Sequence, residues 1–137
     1  MKPPARLRAS EAWKIASAGI VLGVLPHLFG LLFGFAAFLL TPIVGALGAV
    51  GVGMLARRVA PAARLAALLV ASSSTGATFV ACFYATFAAL AVRNGAWLQT
   101  MGVAQASIMF AAATLAAALP ISLGIWLGWH RLSPEEP

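Results

Sequence analysis

No Lys, Arg, Asp or Glu interrupts the chain from Ile15 to Ala56, from Leu65 to Val92, or from about Ala96 to His130. A helix needs about 20 apolar residues to cross the roughly 30 Å hydrocarbon layer of a bilayer. The second stretch (28 residues) and the third each supply one crossing, and the first, at 42 residues, supplies two joined by a short turn. Composition agrees: 62% of the 137 residues are hydrophobic and 9% are charged. A soluble domain of this length has too little interior to hide that much apolar surface. The expected fold class is therefore an all-α integral membrane protein of four transmembrane helices in two antiparallel hairpins. It forms one domain over 1-137, with a basic tail at 1-10, helices at about 12-34, 38-56, 65-92 and 100-130, and a second tail at 131-137. The first apolar run is far longer than a signal-peptide core of about 7–15 residues, so it reads as a membrane helix.

The basic residues set the expected orientation. Lys2, Arg6, Arg8, Lys14, Arg57, Arg58, Arg64 and Arg131 fall on one side of a four-span chain and Arg93 on the other. Cytoplasmic loops carry the excess of Lys and Arg, which puts both termini in the cytoplasm. Indole rings favour the headgroup level. Trp13, Trp126 and Trp129 are accordingly expected at the inner interface and Trp97 at the outer one. A basic nucleic-acid binder would gather its charges on one face instead of between apolar runs, so no nucleic-acid partner is expected. The turn between the first two helices is placed between Phe33 and Pro42; Pro26 with Gly30, Gly30 with Gly34, and Thr41-Pro42 are the candidate breaks, Thr41 serving as N-cap and Pro42 opening the helix in the last of them. The competing layout has three spans and a re-entrant segment from Pro26 to Pro42. Pro26 and Pro120 are expected to kink their helices by removing a backbone hydrogen bond.

Small residues recur at intervals of four: Gly19 with Gly23, Gly30 with Gly34, and Gly124 with Gly128. Such strips let helix backbones approach and gain dispersion contacts that lipid chains do not match. Tight packing within the bundle is the plain reading, and a face for other membrane subunits or for self-association is the sharper one. The third helix carries Thr75, Thr78, Cys82 and Thr86 on one stripe and Phe79, Phe83 and Phe87 on another. The small polar stripe is expected to face protein, and the phenylalanines lipid or a partner.

His27 is the one ionisable side chain deep within an apolar run, roughly 18 Å in at 1.5 Å per residue. A cation is costly there, so the ring is expected to be neutral. It is either a functional group or a cap on a backbone carbonyl loosened by Pro26. Thr78 and Thr114 are expected near its depth, and Gln105 is expected to meet the third helix through Tyr84 or Thr86. His130 reads as an interfacial anchor.

Glu11, Glu135 and Glu136 are the only acidic residues, and all lie near the chain ends. No intramembrane carboxylate is available to carry a proton, bind sodium or pair with a cationic substrate. No cofactor, metal site or catalytic residue is indicated, since neither a His/Cys/Asp/Glu cluster nor a nucleophile beside a base stands out. Two functions remain. The first is a non-catalytic accessory or assembly subunit of a larger complex in a bacterial inner membrane. The second is a small homo-oligomeric channel or transporter with a polar path through His27, Thr75, Thr78, Tyr84, Gln105 and Thr114. Arginine outnumbers lysine seven to two, and alanine is abundant, which fits a bacterium with a GC-rich genome.

Overall fold

A computed structural model describes residues 5–93 and 103–130. Its elements are α1 (Ala9–Phe33), the short α2 (Phe35–Leu39), α3 (Thr41–Val59), a single 3₁₀ turn (Pro61–Ala63), α4 (Arg64–Arg93) and α5 (Val103–His130). Among the described residues, three helical stretches are long and apolar enough to cross a membrane: Ala9–Phe33, Thr41–Val59 and Pro61–Ala89. Large apolar side chains point outward, with Leu32 76% and Leu47 70% exposed. Alanine and glycine lie inside. That inversion of a soluble core is stable only where the surroundings are themselves apolar.

The first turn falls inside the expected window. Gly34 ends α1 with φ +84°, a left-handed conformation in which a Cβ would be strained. Gly34 is thus a turn residue and not the second member of a packing pair. Gly30 does pack, since a Cβ there would lie 3.2 Å from Phe38 Cα. Thr41 does not act as N-cap. It is the first residue of α3, and its hydroxyl donates to Phe38 O at 2.7 Å, tying α3 back to α2. Pro26 sits inside an α1 that runs on to Phe33.

Consecutive long helices are antiparallel, as the hairpin reading expects: Leu22 meets Gly48, and Tyr84 meets Thr114. The most extensive interfaces, however, run between hairpins and are parallel. On one side of the bundle Gly19 faces Ser74 and Thr75, and Gly23 faces Thr78 and Phe79. On the other, Gly45 faces Ile121, Gly124 faces Ala46 and Ala49, and Gly53 faces Ile125. Around the bundle the order is α1, α4, α5, α3.

These parallel seams explain the glycines. A Cβ at Gly53 would run into Ile125 O, one at Gly128 into Val50 O, and one at Gly124 into Ala46 O. The α3–α5 seam is therefore backbone against backbone. In a bilayer, where water does not drive helices together, that closeness supplies the dispersion energy of association. The continuous core combines alanine with β-branched residues: Ala49, Val52 and Ala56 of α3, Ala67 and Ala71 of α4, and Ile121 and Ile125 of α5, closed by Ile15 of α1.

Phe79 corrects the sequence reading. It is fully buried, not turned to lipid. The reason is Gly45, whose missing side chain leaves the space that the Phe79 ring occupies. Trp129 is buried in the core, whereas Trp13 (70% exposed) and Trp126 (44%) point outward. Trp97, Asn94 and the outer loop lie outside the described residues.

Candidate functional site

Two polar regions are available, one inside the bundle and one at its basic end. The inner one is organised by α1. His27 is 2% exposed, and its Nδ1 lies 3.1 Å from Gly23 O. A carbonyl only accepts, so Nδ1 carries the proton and donates. In the neutral ring Nε2 is then a bare acceptor, and it has no hydrogen-bond partner. Aromatic rings enclose it instead: Phe79 at 4.5 Å between centroids and Phe83 at 6.3 Å. Phe38, brought in by α2, packs tilted against Phe83 at 4.6 Å and approaches Phe87 at 6.2 Å. His27 therefore caps a carbonyl one turn back and packs as part of an aromatic cluster.

The remaining candidates do not gather around it. Thr75 is fully buried against Gly19, 2.7 Å from where a Cβ would sit, and its Oγ1 has no partner. Thr78 lies against Gly23, one turn before His27, with its Cβ 2.9 Å from a Cβ built there. Thr86 is buried, and Cys82 is half-buried as a free thiol. Tyr84 Oη meets Thr114 Oγ1 at 3.1 Å, joining α4 to α5. Gln105 is exposed, so the link across the two helices is made by Thr114, nine positions further along α5. Thr78 packs on α1 at Gly23, whereas Thr114 is held by Tyr84, which adjoins the Phe83 ring beside His27. The stripe of small polar residues does face protein.

At the other end, α3, α4 and α5 are tied together by residues that sequence reasoning treated only as topology signals. Arg57 Nη1 donates to Trp129 O at 2.8 Å, a carbonyl in the last described turn of α5. Arg64 Nη2 donates to His130 Nε2 at 2.6 Å, and His130 Nδ1 donates to Trp126 O at 3.0 Å. His130 is accordingly a relay from α4 into α5, with its ring stacked on Trp126 at 4.9 Å. An arginine one turn before a helix end is the available signal, but the partner carbonyl 72 positions away is not in the local sequence. Nearby, Ala5, Arg6, Arg8 and Glu11 form one wall of a cleft of about 310 Å³, and Ala60 to Ala63 form the other. Glu11 Oε2 accepts from Arg8 N at 3.0 Å, which starts α1.

No group of three or more His, Cys, Asp or Glu side chains is placed to hold a metal ion among the described residues. No protein-family model, curated protein or solved structure matches the chain.

Proposed function

We propose that this chain is a four-span, non-catalytic membrane protein that serves as an accessory or assembly subunit of a larger complex in a bacterial inner membrane. The observation that carries this reading is the state of the inner polar groups. His27 is closed in by Phe79 and Phe83, Thr75 is pressed on Gly19, and Tyr84 is engaged with Thr114. Each serves a helix contact, which is the chemistry of a scaffold. The partners are the bilayer and neighbouring membrane subunits, met through outward faces of leucine, isoleucine and phenylalanine.

α5 is the fourth span in this proposal, with 28 residues and no Lys, Arg, Asp or Glu. Both termini and the Arg57 to Arg64 loop are cytoplasmic. Support for a shared side comes from the cleft joining Arg6 and Arg8 to Ala60–Ala63, and from the bonds of Arg57 and Arg64 to the end of α5. Single thiols introduced at Asn94 and at Arg58 in a Cys82→Ser background test the orientation. Impermeant maleimide added outside intact cells is expected to label position 94 and to spare position 58. The reverse pattern overturns the proposed topology.

One observation favours a second reading, a small homo-oligomeric transporter: the buried Nε2 of His27 and Oγ1 of Thr75 lack partners. Purification of the tagged protein in a mild detergent separates the two. Stoichiometric foreign subunits are expected, and a closed homo-oligomer free of other chains contradicts the subunit assignment.

A further inference from the structure

We propose that the cleft between the start of α1 and the α3–α4 turn binds the headgroup of a monoanionic glycerophospholipid, with a phosphodiester on Arg6 and Arg8 and a headgroup hydroxyl on Glu11. Three observations carry it. The cleft is a formed space of about 310 Å³, bounded by Arg6, Arg8 and Glu11 on one wall and by Ala60, Pro61 and Ala63 on the other. No salt bridge or side-chain hydrogen bond engages the Arg6 and Arg8 guanidinium groups among the described residues, whereas Arg57 and Arg64 both reach α5. The wall thus combines two cations with one carboxylate, a net charge complementary to a single negative charge.

Depth gives the third observation and identifies the source of the anion. Trp13, 70% exposed on α1, marks the headgroup level of a spanning helix. Arg8 is the N-cap of the same helix, five residues earlier, so its long side chain can reach back to that level. That is where lipid phosphates sit. The inference rests on the membrane placement of α1, and basic pockets at helix ends on the cytoplasmic side suit anionic headgroups. Arginine presents paired donors to two phosphate oxygens. Glu11 Oε2 already accepts from Arg8 N, which leaves its remaining lone pairs for a headgroup hydroxyl. A choline headgroup offers Glu11 no such donor and carries no net charge.

The test is native mass spectrometry of the purified, delipidated full-length chain with added phosphatidylglycerol, phosphatidylcholine or soluble glycerol phosphate. One tightly retained phosphatidylglycerol is expected, with affinity about tenfold or more above phosphatidylcholine. Each of Arg6→Gln and Arg8→Gln is expected to weaken it about tenfold, the value of one charge-assisted contact. Arg58→Gln, on an exposed residue outside the cleft wall, is expected to leave it unchanged. Ala62→Glu adds a carboxylate to the opposite wall without touching the arginines, and it is expected to weaken retention as well. Glycerol phosphate matching the lipid in affinity would assign the site to a free phosphate ester instead and overturn the lipid assignment. Equal retention of both lipids, or retention unmoved by Arg6→Gln, Arg8→Gln and Ala62→Glu in chains that unfold at the wild-type temperature, overturns the site itself.

Discussion

Gly53→Ala and Gly128→Ala are each expected to destabilise the bundle by about 1–3 kcal/mol, and a leucine at either position is expected to prevent α3 and α5 from docking. The added Cβ would meet Ile125 O in the first case and Val50 O in the second. A carbonyl in a helix cannot rotate away as a flexible side chain can, so the helices themselves must separate. Gly51→Ala and Gly76→Ala are the matched controls, because nothing lies within 4 Å of either Cβ position. These two are expected to be neutral or to stabilise by up to about 1 kcal/mol, since glycine is the weaker helix former. Thermal unfolding in detergent, or titration with a denaturing surfactant, reads all four. Equal effects at the packed and the open glycines would contradict the backbone-to-backbone seams.

The long helices were legible because a missing charge over 28 or more residues leaves an apolar run with few other folded outcomes, and the turn was legible because Gly34 and Thr41-Pro42 carry local backbone chemistry. Helix partners were not. Glycine strips at Gly19, Gly23, Gly124 and Gly128 announce that something packs closely, but the spacing is the same whichever helix arrives. Phe79 shows the deeper reason. In a soluble protein an apolar stripe points to the core, whereas in a bilayer lipid and protein are both apolar, so the stripe carries no inward sign. Only Gly45, 34 positions earlier on another helix, decides that Phe79 turns in. Arg57 and Trp129 pose the same difficulty at longer range, because a basic residue at a membrane edge reads as an orientation signal whether or not it also bonds a carbonyl of another helix. Of the inner candidates, Tyr84 was expected to meet α5, and it does so at Thr114.

His27 divides the scaffold from the transporter, and its variants carry the second large expected effect. His27→Ala removes a ring packed among Phe79 and Phe83, and it is expected to cost about 2–4 kcal/mol through the cavity left behind. His27→Leu keeps most of that volume. It loses the bond to Gly23 O, worth about 0.5–1.5 kcal/mol, but it also removes the buried Nε2 acceptor that lacks a partner, itself a penalty of about 1–3 kcal/mol. The two nearly cancel, so leucine is expected to change stability by no more than about 1 kcal/mol in either direction. The decisive measurement is complementation of a deletion strain by His27→Leu at matched expression, with unfolding and co-purifying subunits measured on the same preparation. Wild-type growth with the wild-type set of partners is the expected result. A variant that folds and assembles normally yet fails to complement would give His27 a chemical role and contradict the assignment of this bundle as a scaffold.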